Sequence, residues 1–254
     1  MKLTFLGTGT SQGVPMIGCL CPVCQSSDSR DKRLRSSAMI EDGTTRIIID
    51  SGPDFRYQML RAEVRDIDAI LLTHQHTDHI IGLDDVRAFN YFCSKPIPIY
   101  TTELVGSVVR KNFDYAFGQH RYPGVPDINL CTIEEGPFRV GSMEITPIFG
   151  RHYRLPVTGF RVGGIGYLTD FNHIDDSELE KLRGLDIFVV NALRHQPHIS
   201  HYSLPEAIEL ARKVGAKRTY FTHISHQLGL HSHEEPLLPP TMHLAYDTLT
   251  IEIP

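Results

Sequence analysis

Short apolar runs recur along the chain, separated by polar and turn-forming residues: Leu3-Thr4-Phe5-Leu6, Arg46-Ile47-Ile48-Ile49-Asp50, Ala69-Ile70-Leu71-Leu72-Thr73, Ile97-Pro98-Ile99-Tyr100, Met143 to Ile148, Gly166-Tyr167-Leu168-Thr169, Ile187-Phe188-Val189-Val190 and Thr219-Tyr220-Phe221-Thr222. Their brevity and their β-branched and aromatic content predict strands buried on at least one face. Helical patterns are fewer. The clearest runs from Ser203 to Val214, where Ser203-Leu204-Pro205-Glu206 puts Pro in the first turn and Glu at the capping-box spacing. Further helices are expected over 103–113 and 175–183. Strands with helices interspersed, and no Pro/Gly/Ser-rich linker, low-complexity segment or fixed-period repeat, predict α/β layers in one domain spanning 1–254.

The strands end in a consistent way. Asp50-Ser51-Gly52, His74, Asp170, Asn191 and His223 each come directly at or after an apolar run, the position at which open α/β sheets collect their working polar residues. The shared position predicts one common edge for them all.

Composition narrows the class. With 25 Lys+Arg against 30 Asp+Glu, 41% hydrophobic and 22% charged residues, the chain suits a globular protein with a sizeable core, not a disordered, collagenous or coiled-coil one. The mild acidity argues against broad attachment to nucleic acid or anionic membrane. The opening Met1-Lys2-Leu3-Thr4-Phe5-Leu6-Gly7 is too short an apolar run for a signal peptide, and no run reaches the roughly 18 apolar residues of a membrane span. A cytoplasmic location and no membrane partner are expected. Of fourteen His, nine (His173, His195, His198, His201, His223, His226, His231, His233 and His243) fall in the last third, where chemistry is therefore expected.

Thr73-His74-Gln75-His76-Thr77-Asp78-His79 is the most informative stretch. Zn²⁺ and similar ions take imidazole nitrogen and carboxylate oxygen, and a loop leaving a rigid strand can aim His74 and His76 at one point. Asp78 and His79 then address a second. Two such clusters suit a pair of ions roughly 3.5–4 Å apart that clamps attacking and leaving oxygens.

These residues form the H-x-H-x-D-H signature, and in them the sequence resembles the metallo-β-lactamase superfamily. The resemblance extends to His152 in Gly150-Arg151-His152, Asp170 in Tyr167-Leu168-Thr169-Asp170, and His223 in Phe221-Thr222-His223, which follow in the family's order. It implies a four-layer αβ/βα sandwich with two divalent metals, Zn or Mn. His74, His76 and His152 would hold one, Asp78, His79 and His223 the other, and Asp170 would bridge them. Asp50 would support the His loop from behind. Lactam-hydrolysing members commonly place Cys near one metal; its absence here argues against a β-lactamase, and hard oxygen ligation favours phosphoesters.

Gly18-Cys19-Leu20-Cys21-Pro22-Val23-Cys24 is a separate nest of three thiolates, one short of the four ligands a structural zinc requires. Five Cys, three of them crowded together, make a poor disulfide framework and a better metal site. His226, three residues beyond His223, is the best fourth ligand; Cys93 and Cys131 are read as small core residues. The opening Leu3 to Pro15, this nest, Thr222-His223-Ile224-Ser225-His226-Gln227 and the closing Ala245-Tyr246-Asp247 look like a bacterial family of phosphonate-pathway phosphodiesterases that open phosphoribosyl 1,2-cyclic phosphate. That resemblance implies a structural zinc on Cys19, Cys21, Cys24 and His226, and a homodimer. It is weakest over 85–140, where substrate walls would be built. Gly7-Thr8-Gly9-Thr10-Ser11-Gln12-Gly13 lacks the spacing of a nucleotide loop and is read as a tight strand-to-loop turn.

His201 precedes a helix N-terminus, whose unpaired N–H groups favour an anion. In related phosphodiesterases a His at the comparable place contacts phosphate and assists departure of the leaving group, so by resemblance His201 is a catalytic residue, with Asp78 orienting a metal-bridging hydroxide. Arg194, His195, His198, Arg151 and Arg154 are candidate contacts for a second phosphate or a sugar, and the sequence does not choose among them. His231 and His233 are read as loop residues.

The expected activity is hydrolysis of a small cyclic phosphate ester, phosphoribosyl 1,2-cyclic or nucleoside 2′,3′-cyclic. The nearest rival is tRNA 3′-end processing, which would want a basic arm; region 101–140 mixes Arg110, Lys111, Arg121 and Arg139 with Glu103, Asp114, Asp127, Glu134 and Glu135, so no stable nucleic-acid partner is expected. Thioester hydrolysis is a weaker option. A non-catalytic metal-binding accessory protein is the rival from another class, against which stands the full ligand set.

Overall fold

The computed structural model describes residues 1–118, 122 and 124–253; Arg121, weighed above for a basic arm, lies outside them. Every apolar run named above forms a strand. The first sheet holds β1 (Lys2–Gly7), β2 (Ser37–Glu41), β3 (Arg46–Ile49), β4 (Ala69–Leu71), β5 (Ile97–Thr101) and β6 (Ile128–Thr132). The second holds β7 (Phe138–Val140), β8 (Met143–His152), β9 (Leu155–Val162), β10 (Ile165–Leu168), β11 (His173–Ile174), β12 (Ile187–Asn191), β13 (Arg218–Thr222) and β14 (Met242–Leu244), and β15 (Thr250–Glu252) returns to pair with β1 in the first.

Both sheets change character partway across. β1, β2, β3 and β15 pair antiparallel, whereas β3, β4, β5 and β6 run parallel. In the second sheet β8, β9 and β10 are antiparallel and β10, β12, β13 and β14 parallel. Asp50, His74, Asp170, Asn191 and His223 all lie at the C-terminal ends of parallel strands, so the predicted common edge is real.

Side-chain alternation sets the layers. Ile47, Ile49, Ile187 and Val189 point into the core between the sheets, together with Phe5, Phe160 and Tyr167. The intervening Ile48 faces outward to α2 (Phe55–Arg61) and its neighbours, meeting Phe55, Met59, Phe89 and Val109. Phe188 and Val190 face the other way, onto the helix Leu204–Val214, through Leu204, Ala207, Leu210 and Ala211. Three apolar interfaces between four layers make the αβ/βα sandwich. Each such fully buried side chain contributes about 1.5–3 kcal/mol by leaving water.

The helices are α1 (Pro22–Gln25), α2, α3 (Thr77–Ile80), α4 (Arg87–Cys93), α5 (Glu103–Asn112), α6 (Asp114–Phe117), α7 (Asp176–Glu180), α8 (Leu204–Val214) and α9 (His231–Glu234). α8 starts as expected: the Glu206 carboxylate accepts from the backbone N–H and the hydroxyl of Ser203, at 2.8 and 2.6 Å. The helices expected over 103–113 and 175–183 also form, the second shorter, ending at Glu180.

Two expectations fail. Cys93 and Cys131 are only half-buried, because Cys93 ends α4 and Cys131 lies on β6, which pairs on one side only among the described strands. His231 is buried, not a surface loop residue: its ring faces the guanidinium of Arg33 at 3.4 Å and its backbone N–H donates to Asp31.

Candidate metal centre

The His loop is anchored from behind by Asp50. This carboxylate is fully buried at the end of β3 and accepts from the Thr73 N–H at 2.9 Å, the Thr73 hydroxyl at 2.9 Å and His79 Nδ1 at 2.7 Å. Because His79 donates through Nδ1, its Nε2 is left for the cluster, where it lies 3.2 Å from Asp78 and 3.3 Å from Asp170. The backbone then binds the same two loops together, through Ser51 N–H to the His79 carbonyl and Gly82 N–H to the Ser51 carbonyl, both 2.8 Å. Gly52 is required at this approach, since a Cβ there would run into the Asp78 carbonyl.

The other ligand candidates arrive as the sequence ordered them. β8 extends beyond its predicted end so that His152 is its last residue. His152 donates through Nδ1 to the Ser200 carbonyl at 2.7 Å, which turns its other nitrogen toward His74 and His76. The three imidazoles form one group whose ligand atoms lie within 4.8 Å of one another, and His74, His79 and Asp170 form a second. His223 joins it, with Nδ1 3.2 Å from Asp170 and its ring stacked on that of His79. Asp170 thus stands between the two His groups.

Asp50, Asp170 and His223 share left-handed backbone, with φ of 62°, 62° and 55°. Such conformations are uncommon outside glycine and mark strand ends held in place by their surroundings. Asn191 is no ligand: its side-chain amide clasps the backbone N–H and carbonyl of Phe171, at 2.8 and 2.9 Å, and so fixes the turn that presents Asp170.

The electrostatics match a cation site. Burial opposes charge on His79, yet the carboxylates of Asp170 and Asp50 outweigh it and hold the imidazole protonated well above its ordinary range. Burial likewise opposes ionisation of Asp170, but His223 and His79 keep it ionised well below the usual carboxylate range. Burial alone dominates His74 and keeps it neutral. His79 Nε2 and His201 Nδ1 are buried without a hydrogen-bond partner among the described residues. Orphaned nitrogens facing buried carboxylates are what imidazole and carboxylate ligation of a borderline ion would satisfy, so this donor set fits divalent metal.

His201 lies against this cluster and not out on the helix cap. Its ring is 4.5 Å from that of His152 and 4.8 Å from that of His223, and Nδ1 is 3.5 Å from Asp170. Burial pushes its pKa down to about 2, against the pull of Asp170, so the resting imidazole is neutral.

A family model described as the beta-lactamase superfamily domain matches residues 45–224. The chain belongs to the metallo-β-lactamase superfamily. It has that superfamily's hydrolase fold, and within the superfamily it is similar to a solved diphosphatase of the PhnP family, with 41% identity and a TM-score of 0.92 over 100% of this chain and 98% of that one. The octanoyltransferase of Porphyromonas gingivalis is 38% identical over 98% of this chain, which spans 51% of that protein. A zinc-bound PqqB of Methylobacterium extorquens shares the fold, with a TM-score of 0.81 at 18% identity and full coverage of both chains.

Away from the superfamily centre, the Cys nest is also assembled. Cys19, Cys21, Cys24 and His226 form a separate group of converging ligand atoms, with His226 Nδ1 3.4 and 3.3 Å from the Cys19 and Cys21 sulfurs. The hydrogen bond from His226 draws the Cys21 thiol down to about 6, while burial pushes Cys24 up to about 11. The glycine-rich opening that leads to the nest is sewn to the segment bearing His223: Ile224 donates to the Thr8 carbonyl at 2.8 Å and accepts from Thr10 N–H at 3.2 Å. The glycine-rich opening is therefore a seam as well as a turn. Sequence reading missed the reason it holds. Arg33, fully buried, donates to Thr8 and to the Ala245 carbonyl, and Asp247 receives Thr8 N–H and hydroxyl at 3.0 and 2.8 Å. A lone Arg in a polar stretch carries no signal of burial.

Proposed function

We propose that this protein is a metal-dependent phosphodiesterase of small phosphate esters, with phosphoribosyl 1,2-cyclic and nucleoside 2′,3′-cyclic phosphates as the leading class and diphosphates beside them. The observation that carries the reading is His201 packed against a cluster whose shared position is a carboxylate, Asp170, with no thiol near it. His74, His76 and His152 would hold one divalent ion, Asp78, His79 and His223 another, with Asp170 common to both. When bound, two such ions supply Lewis acidity toward the phosphoryl oxygens and lower the pKa of water.

The chain's own residues do the rest. Asp50 and the Ser200 carbonyl fix which nitrogen His79 and His152 present. Asp78, on the open side of the cluster, accepts a proton-bearing nucleophile and orients it. His201 binds a phosphoryl oxygen and donates toward the departing one; α8 begins three residues on, and its first turn offers the anion little, since the Leu204 N–H donates to the Arg194 carbonyl at 2.8 Å and Pro205 has no N–H. Cys19, Cys21, Cys24 and His226 hold a structural zinc.

The octanoyltransferase name belongs to a protein about twice as long. This chain spans about half of that protein, and its clustered His and Asp side chains are a metal-ligand set, so we attribute the transfer to the part this chain does not span. RNA processing gains no support among the described residues: Arg110 pairs with Glu103, and Arg139 is spent on the Ser142 carbonyl. The test is hydrolysis of both cyclic esters, bis(4-nitrophenyl) phosphate and a diphosphate diester with Mn²⁺ or Zn²⁺. Turnover of at least one that disappears in Asp170→Ala is expected; no turnover by protein shown to carry its metals would overturn the proposal.

A further inference from the structure

Five side chains compete for the role of holding the substrate's non-reacting part, and the structure removes four of them. Arg194 is bound to Gln227 at 2.8 Å and to the carbonyls of Gln196 and Pro197. His195 is paired with Glu234 at 2.9 Å. Arg154 lies over the ring of Tyr153, and Arg151 is exposed, on the face of β8 opposite to His152.

His198 is left, and it is placed differently. Its ring sits 5.2 Å from that of His201, on the same 198–201 segment whose Ser200 carbonyl orients His152. Ser200 also donates its backbone N–H to His198 Nδ1 at 3.3 Å, with its hydroxyl at 3.2 Å. A nitrogen that accepts from a backbone N–H carries no proton, so the neutral imidazole keeps its proton on Nε2. Nε2 has no protein partner among the described residues, and the ring is half-buried beside the mouth of the cluster. One segment therefore presents two imidazoles in series, His201 at the reacting phosphoryl group and His198 one ring further out.

We infer that His198 is a specificity-determining residue that donates through Nε2 to a second anionic group on the leaving side of the substrate. The substrate class is then a phosphate ester or anhydride whose leaving group itself carries a phosphate. This rests on the phosphodiesterase reading above. No proton or bond is exchanged at His198, which binds only.

The test compares the metal-loaded parent, His198→Ala and His198→Gln on ADP-ribose, whose leaving group is a phosphate ester, and on bis(4-nitrophenyl) phosphate, whose leaving group is a neutral aryl alcohol. His198→Ala is expected to lower kcat/KM on ADP-ribose at least tenfold, mainly through KM, and to change it less than twofold on the aryl diester. His198→Gln, whose amide still donates, is expected to recover most of the loss. An equal loss on both substrates, or none on ADP-ribose, overturns the assignment. Parent activity on the aryl diester without any on ADP-ribose overturns it too and leaves the phosphodiesterase reading standing. Parent inactivity on both, with metals bound, overturns the assignment of His198, and the phosphodiesterase reading falls with it only if both cyclic esters are left intact as well.

Discussion

At the scale of single residues, the chemistry of the site rests on side chains that touch no substrate. Asp50 is the clearest, since it sets the tautomer of His79 and the start of the His loop at once. Asp50→Asn keeps the shape but offers His79 a poorer acceptor, and a loss of about 10–100-fold in activity or metal affinity is expected; metal titration alongside the assay checks it. Asp170 allows a sharper comparison. Asp170→Ala and Asp170→Gly should both abolish hydrolysis and both retain the thiolate-bound zinc, counted by mass spectrometry. At φ 62°, alanine suffers a Cβ clash of about 1–2 kcal/mol that glycine avoids, so the glycine variant should melt higher; equal melting temperatures would show the turn to be unstrained. That the candidate ligands converge was legible because they follow apolar runs in the order of the resembling family. Ser200, Asn191 and Arg33 were not. A serine that acts through its carbonyl, an asparagine that clasps a backbone turn and an arginine buried far from its partners in sequence leave no local pattern.

Among elements, the strands that could be read were those whose apolar run is unbroken. β9 escaped notice because Pro156 and Gly159 interrupt its hydrophobic pattern, and Gly159 is there for a physical reason: a Cβ would collide with Leu168 and the Tyr167 backbone. β2 offers only Ser-Ala-Met-Ile-Glu, too mixed to distinguish from a loop. α8 was legible from its first residues, because the Ser203–Glu206 box is encoded locally. Glu206→Ala should cost about 1 kcal/mol, a fall of roughly 2–4 °C in a protein of this size, measured by thermal melting. Cys21→Ser tests the N-terminal element: it should lose one zinc and stability before it alters the chemistry, because the nest stands apart from the His/Asp cluster. A variant that melts like the parent and keeps all its metal would dismiss the structural zinc while leaving the hydrolase intact.

The whole molecule repeats one design twice, a sheet that is antiparallel on one side and parallel on the other, with the working residues where the parallel strands end. The layer order was legible through the family resemblance that the residues at the strand ends carry. The pairing order was not, since the return of β15 to β1 joins the last strand to the first without any local signal. No helix among the described residues is long and apolar enough to cross a membrane. The seam formed by Thr8, Thr10 and Ile224 bears on how this architecture opens. The two backbone hydrogen bonds lie between the thiolate nest and His223, so neither strand of the seam can leave without disturbing both ends. Hydrogen exchange should therefore find the amides of Thr10 and Ile224 protected as one cooperative unit. Selective removal of the zinc held by the thiolates should release both at a common rate, with the β3 and β4 amides still closed. The first breath of the molecule would then be drawn at its N-terminal loop, whose sequence shows a tight turn and a thiolate nest but no sign of this coupling.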